Sequence, residues 1–360
     1  MNKIYIVGAH SRARTLAHYL CYLHPELNIE AYLVDNDEAN PSQIDGIPVI
    51  HMDENTQLDV TLPVYIGTRG VFHASITKTL QAIGMGDIRP VTVALDLELR
   101  NAYLTKYFAS VGRTYTKIDD IATAMSAQMV GDDTCVYVAK SIYDKPLTDA
   151  YSLQDYEKEI QVGAALTDAR LYDDILVDNA GDNISAKNKQ FCELTALYWI
   201  WKNATEDIVG LVHYRRHFTM PADWQQRMLA EGVDVILPVP LFVAPSLEEN
   251  YRSRHDGSDL DYLFSYIQQK DAEEYESLKA FWQNGLYSPC NMFIARREVA
   301  IDLCEWLFPI LFAVAEHGGQ KEDSYLNRYP GFLSERLITY FFEKNRGRYK
   351  VVFSDKNFLQ

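Results

Sequence analysis

Ile208-Val209-Gly210-Leu211-Val212, running straight into His213-Tyr214-Arg215-Arg216-His217, is the stretch from which the fold of this chain is read. An apolar run without alternation describes a strand buried on both faces, as in parallel sheets covered by helices. In such α/β folds ligands collect at the carboxyl ends of the strands, and here that end delivers His213, Arg215, Arg216 and His217. The whole chain carries a formal net charge of −16, so this local concentration of positive charge marks an anion site.

Neighbouring segments fit the same scheme. Thr134 to Lys140 opens an α/β unit, Val233 to Pro238 forms a further strand, and Tyr287 to Ala295 forms another, entered from a polar turn with Asn291 at the head of its apolar run. Asp178 to Ser185 is a turn-rich segment feeding one long helix through Phe191, Leu194, Leu197, Tyr198 and Trp201. Ser185 reads as its N-cap, and this helix start either holds an anion on free backbone N–H groups or caps a surface turn. Gly331 to Arg336 caps a late helix containing Leu337, Ile338 and Phe341, with Glu335 at its start. At helical spacing Trp201 is core, with sugar or base stacking as the alternative for it and for Trp199. His255 reads as a surface histidine before a helix, with acceptor or phosphate contact as the alternative.

The first part of the chain has a different pattern. Lys3 to Val7 is a short strand ending at Gly8, and apolar residues at helical spacing follow from Ser11 to Leu23. The turn Gly8-Ala9-His10-Ser11-Arg12-Ala13 keeps one glycine of G-x-G-x-x-G, so His10 and Arg12 suggest side-chain contacts to phosphate. A second strand, Glu30 to Val34, ends at Asp35-Asn36-Asp37, where Asp35 meets a ribose hydroxyl in folds of this kind. Ile44 to Ile50 is a turn into a short strand, Pro63 to Thr68 another strand, and Val71 to Ile83 a helix. Asp96 to Met129 reads as a helical connection, its last helix capped by Asp119-Asp120.

With 360 residues and 48% hydrophobic content the chain forms two domains, 1–130 and 131–360. Its acidic balance disfavours nucleic acid and anionic membranes as partners of the overall field. The five cysteines are scattered, which speaks for reduced core thiols. Trp306 to Ala315 falls short of the roughly 20 residues needed to span a bilayer and contains Pro309, so it reads as a buried core helix. The start has no signal-peptide pattern, and the expected location is cytoplasmic.

Two resemblances follow from these motifs. The Gly8-Ala9-His10 turn, the Asp35-Asn36-Asp37 strand end and Asp45-Gly46-Ile47-Pro48-Val49 together resemble the N-terminal sugar-nucleotide-binding domain of PglD-type sugar acyltransferases, over about the first ninety residues. That resemblance implies nucleotide-binding roles for Gly8, His10, Arg12 and Asp35. The hexapeptide repeats of those enzymes are absent, so acyl transfer is not implied. In the second part, Asp178 to Ser185, Asn188, Cys192-Glu193-Leu194-Thr195, Tyr198 to Asn203, Gly210 with His213-Tyr214-Arg215-Arg216, Asn291 to Ile294 and Ser334-Glu335-Arg336-Leu337 resemble one bacterial family. It is the glycosyltransferase-like domain of capsular and exopolysaccharide biosynthesis proteins, long catalogued as a domain of unknown function, and the resemblance spans roughly residues 134 to 345.

The second resemblance implies a GT-A-like Rossmann-related sheet and a hexosyltransferase-type enzyme acting on a nucleotide-diphosphate sugar and a lipid-linked or oligosaccharide acceptor. Candidate donor-binding residues are Asp178, Asn183, Ser185, Asn188, Tyr214, Arg215, Arg216 and Asn291. The departing diphosphate needs neutralising, and many GT-A enzymes use a divalent metal held by Asp-x-Asp at a strand end. Here that end carries His213-Tyr214-Arg215, and Arg215 with Arg216 can take the diphosphate by bidentate hydrogen bonds. The expectation is metal-independent transfer with no protein metal ligands, Mn2+ or Mg2+ being the alternative. The Asp35/Asp37 pair belongs to the other domain, and Asp259/Asp261 starts a helix. Glu335 is the first candidate base for the acceptor hydroxyl, its alternative an N-terminal helix acid paired with Arg336 or the dipole; Asp182 and His213 follow. The transferase is expected to act at the inner membrane face, in peripheral contact with the membrane or with a polysaccharide-assembly protein; two other readings compete, a non-catalytic sugar-nucleotide sensor or assembly partner and an NAD-dependent sugar-nucleotide-modifying enzyme.

Overall fold

The computed structural model describes residues 2–36, 39–122 and 133–360. The expected domain boundary at 130, the end of the helical connection and Asp37 lie outside the described residues. The chain separates into two compact units, Met1–Tyr115 with Phe242–Pro245, and Thr116–Leu241 with Ser246–Gln360.

The first unit runs β1 (Asn2–Val7), α1 (Ser11–Leu23), β2 (Leu27–Val34), β3 (Gln43–Ile44), β4 (Ile47–His51), β5 (Val64–Ile66), α2 (His73–Ile83), β6 (Ile88–Pro90) and α3 (Val93–Ser110). Its sheet has the order β3-β4-β2-β1-β5-β6, parallel except for the β3/β4 pair. Tyr5, Val7, Leu33, Val64 and Ile66 from the sheet pack with Ile76 and Leu80 of α2. Chain order reverses between β1 and β5, the topological switch at which a doubly wound sheet opens a crevice.

The second unit contains β7 (Thr134–Lys140), β8 (Glu157–Gln161), β9 (Leu176–Val177), α4 (Asn188–Phe191), α5 (Leu194–Asn203), β10 (Ile208–His213), α6 (Trp224–Ala230) and β11 (Val235–Pro238). After β12 (Leu241–Phe242) come α7 (Leu247–Arg252), α8 (Gly257–Lys270), α9 (Ala272–Trp282), β13 (Leu286–Tyr287), β14 (Phe293–Arg296), α10 (Arg297–Gly318), α11 (Tyr329–Lys344) and β15 (Val351–Ser354). The large sheet has the order β15-β11-β14-β10-β7-β8-β9. Every pairing is parallel except those of β14, which runs antiparallel to β10 and β11. This mixed, Rossmann-related α/β sheet is the GT-A-like architecture expected. Its core joins Val136 and Val138 of β7, Ile208 and Val212 of β10, Ile236 of β11 and Ile294 of β14.

Several elements depart from the sequence reading. The long helix after Ser185 is three pieces: a 3-10 turn at Ser185–Lys187, then α4, then α5, broken where Cys192 takes φ +51°. The apolar spacing stays in phase across the break, so periodicity alone runs through it. Tyr287 to Ala295 is two strands separated by Cys290 (φ +80°) and Asn291 (φ +51°). The late helix begins at Tyr329, with Pro330 in its first turn, so Gly331 and Ser334 are helical and Glu335 sits in the second turn. Pro309 does not end α10, which runs through it for 22 residues. Burial of Leu303, Leu307, Phe308 and Leu311, each worth about 1.5–3 kcal/mol, outweighs the roughly 3 kcal/mol of an internal proline. At Ile118–Asp120 a 3-10 turn forms, with Asp120 accepting from the Lys117 N–H. Among the described residues no helix is long and apolar enough to cross a membrane.

Gly210, in the middle of β10, has no room for a side chain: a Cβ would lie 2.9 Å from both Ile294 Cγ1 and the Phe293 carbonyl oxygen. The backbone oxygen cannot yield without moving β14. Gly210→Ala is expected to cost about 1–3 kcal/mol, read as a lowered urea midpoint at unchanged m-value.

Candidate functional site

At the carboxyl end of β10, His213 meets the left-handed turn that precedes β14. Its Nε2 lies 2.6 Å from the Cys290 carbonyl oxygen, which can only accept, so Nε2 carries the proton and Nδ1 the lone pair. The Cys290 N–H donates to Glu335 Oε1 at 2.8 Å, and Arg336 Nη1 donates to Glu335 Oε2 at 2.9 Å. Both backbone groups of one residue with φ +80° therefore grip the histidine and the glutamate, the kind of strained backbone that clusters at functional sites.

A second carboxylate reaches the same point through the break between α4 and α5. Glu193 Oε1 accepts from Asn291 Nδ2 at 2.8 Å and lies 3.7 Å from His213 Nε2. Asn291 gives its other amide hydrogen to the Gly331 carbonyl at 3.1 Å. The break is held by Asn188, whose Nδ2 donates to the Cys192 carbonyl at 2.8 Å and to Thr195 Oγ1 at 3.1 Å. Arg328 Nε donates to Cys192 Sγ at 2.9 Å. The side chains of His213, Glu193 and Glu335 keep 15%, 12% and 18% exposure. Burial pushes the Glu335 carboxyl up, against the pull of Arg336 and the Cys290 N–H and with help from Glu193. Burial pushes His213 down, Arg216 adding to it and Glu193 opposing.

The arginine loop is fixed from both sides. Tyr214 N–H donates to the Ala139 carbonyl at the end of β7, and the Arg216 and His213 backbones bond each other. Leu359 N–H donates to the Arg215 carbonyl, Arg215 Nε donates back to the Leu359 carbonyl at 3.3 Å, and Asn357 bonds both backbone groups of His217. Phe358 lies under both guanidinium groups, 5.4 Å from Arg215 and 5.3 Å from Arg216. His217, expected at the anion site, is buried instead: its Nδ1 pairs with Glu157 at 2.8 Å and its ring stacks on Tyr151 at 3.9 Å. Asp144, in the loop after β7, is a further site neighbour; burial raises its carboxyl against Lys140, Arg215 and Arg328.

Other expected donor-binding residues serve the scaffold. Asp178 is fully buried, and its oxygens accept from Gly163 N–H (2.9 Å), Ala164 N–H (3.0 Å), Ser185 Oγ (2.5 Å) and Thr195 Oγ1 (2.6 Å). With every lone pair direction used, the carboxylate ties β8, the 3-10 turn and α5 together. Ser185 is thus no N-cap; its hydroxyl is inside that knot and also accepts from Ala165 N–H. Asn183 closes its own turn on Asn179, Gly181 and Ser185. Asp182 is exposed, accepts from Tyr198 Oη at 3.3 Å, and is not brought into the group around His213. Trp199 is buried with its indole N–H on the Ala180 carbonyl, and Trp201 stacks on Phe308. Asp259 and Asp261 lie in the first turns of α8, paired with Lys321 and Arg252.

Sequence reasoning passed over Glu193 and Arg328 as site residues. Glu193 stands in the Cys192-Glu193-Leu194-Thr195 block but within the apolar spacing of what reads as one helix, and Arg328 lies in the 3-10 turn before α11, outside every such block. Among the described residues no three or more His, Cys, Asp and Glu side chains group as a metal ion would need.

In the first unit, Gly8, His10, Arg12 and Asp35 line one cleft of about 520 Å³ with Ser11, Thr68, Arg69 and Phe72. It opens at the β1/β5 switch, above the start of α1. Gly8 takes φ +112°, and a Cβ there would lie 3.1 Å from the Ala13 Cβ, so the turn keeps glycine for both reasons.

Asp178→Asn puts an NH2 group against two donors, and the expected loss is about 3 kcal/mol of unfolding free energy, measured by urea denaturation.

Among solved structures, the apo form of the WbbM bifunctional glycosyltransferase is similar, at 25% identity and TM-score 0.55, over 63% of this chain and 45% of that one. This chain therefore spans less than half the length of that protein. None of the curated proteins matches. The model of the family described as a domain of unknown function, DUF4422, matches residues 144–346, from the loop after β7 through α11, and the chain belongs to that family.

Proposed function

We propose that this protein is a glycosyltransferase of surface-polysaccharide assembly, moving a sugar from a nucleotide-diphosphate donor to a lipid-linked or oligosaccharide acceptor. One observation carries the reading: on a GT-A-like sheet, the end of β10 gathers a histidine, two carboxylates and the arginine pair Arg215-Arg216, with Arg328 close to both carboxylates. The likeness to WbbM supports it. In the inverting form of this chemistry, Glu335 takes the proton of the acceptor hydroxyl as its oxygen bonds to the anomeric carbon. The bond from that carbon to the diphosphate oxygen breaks, and the electron pair leaves on the diphosphate, where Arg215, Arg216 and Arg328 neutralise it. His213 holds the Cys290 turn and stays neutral near pH 7, so it adds no charge between the two glutamates.

Glu335→Gln is expected to lower transfer by about 10²–10⁴-fold with donor affinity unchanged. Because a base works ionised and burial raises this carboxyl above its ordinary 4.5, wild-type activity is expected to fall on the acid side with a midpoint above 4.5. Arg215→Ala is expected to abolish the thermal stabilisation that one class among UDP-, GDP-, CMP- and dTDP-sugars gives the wild type, with that stabilisation surviving EDTA. Normal turnover in either variant would sink the assignment.

The cleft of the first unit supports a second, separate nucleotide site of the PglD type. Arg12 and His10 stand at the start of α1, where phosphate is favoured, and Asp35 at the end of β2, where a ribose is favoured. Arg12→Ala is expected to remove one of two nucleotide-binding events in calorimetry and leave transfer at saturating donor intact; a single unaltered event would refute this site.

A further inference from the structure

Arg328, Phe332 and Glu335 occupy positions i, i+4 and i+7 at the start of α11, so they share one face of that helix. Phe332 is half-buried and lies one helical turn, about 5 Å, from Glu335 along the axis. The Arg328 guanidinium stands 5.6 Å from its ring centre. His255 stacks on Phe332 with centroids 4.1 Å apart and 24° between planes, and Tyr325 packs on both, at 5.5 Å from His255 and 4.9 Å from Phe332. Tyr325 keeps 47% exposure, so this three-ring cluster offers ring surface to solvent instead of closing into the core. Arg254, exposed, adjoins it in sequence.

From this arrangement we infer that His255, Tyr325 and Phe332 form the platform on which a sugar ring of the saccharide acceptor stacks, beside the carboxylate that deprotonates it. The inference rests on the transferase reading and names the acceptor side of the same site. A pyranose has an apolar face of C–H groups and a rim of hydroxyls, so it is recognised by aromatic faces bordered by charged donors. Tyr325 and Phe332 supply the first, and Arg328, seven residues before Glu335, supplies the second. His255 suits a stacking role because it is neutral: burial among Arg254, Lys321 and Arg336 lowers it to about 4. A ring seated here stands beside Glu335; Arg328 is shared with the departing diphosphate, so His255, Tyr325 and Phe332 are the part of the site that belongs to the acceptor alone.

The test uses the full chain and saturation-transfer NMR with methyl glycosides of glucose, galactose, mannose and N-acetylglucosamine as probes. At least one is expected to receive saturation on its ring protons, with affinity lowered about tenfold in Tyr325→Ala and in Phe332→Leu, while nucleotide-sugar binding by thermal shift stays at the wild-type level in both. Phe332→Leu keeps an apolar side chain, so it guards against a simple folding defect. Glycoside binding that survives both substitutions, or no binding by any of the four, overturns the platform while leaving the donor site standing. Absence of any nucleotide-sugar binding in the wild type overturns the transferase reading and this inference with it.

Discussion

One residue's backbone holds the second unit's site together. Cys290, in the left-handed region at φ +80°, gives its carbonyl to His213 and its N–H to Glu335. A non-glycine residue in that region is strained and persists only where its surroundings over-determine it. Here the over-determination comes from topology. Because β14 runs antiparallel between two strands of opposite direction, its entry turn lies at the carboxyl end of β10, among the ligand-facing loops of the sheet. The histidine, the late helix and the Glu193 break are all registered to that turn, Glu193 through Asn291.

What the sequence disclosed follows from which forces are local. Buried parallel strands announce themselves by unbroken apolar runs, so β7 and β10 are read almost to the residue, and the helix Ser11–Leu23 is read to both ends. The position of the arginine motif at a strand end follows from the same rule. By contrast the break at Cys192 is made by the Asn188 side chain and the Thr195 backbone N–H reaching back to one carbonyl, and nothing at Cys192 itself marks it. Glu193 was therefore hidden in a helix pattern. Asp178 was misassigned for the opposite reason: an acidic residue in a turn-rich segment looks available to a ligand, and only the fold reveals four internal donors around it. His217 belongs with it, a motif residue whose partner Glu157 lies 60 positions away.

The two proposed anion sites are built in different ways. The first would rely on a glycine turn and the start of α1 at a switch point, so that backbone and side chains share the work. The second would use guanidinium groups on a strand end, which suits the charged, dissociable diphosphate proposed for it: the charges are strong, but each is held by planar groups that water can also reach. An acidic chain gains from both designs, since its overall field repels anions and only short-range contacts can hold them.

The pairing of residues 357–359 with the arginine loop changes what that loop can do. A surface turn carrying two arginines would ordinarily sample many shapes, and charge arriving on a leaving group would have to wait for the turn to rearrange. With both backbone groups of His217 and the carbonyl of Arg215 already bonded, and an aromatic ring beneath both cations, the dipoles stand oriented before any charge appears. In the proposed transfer, the reorganisation energy that water would demand at each turnover is met once, when the chain folds.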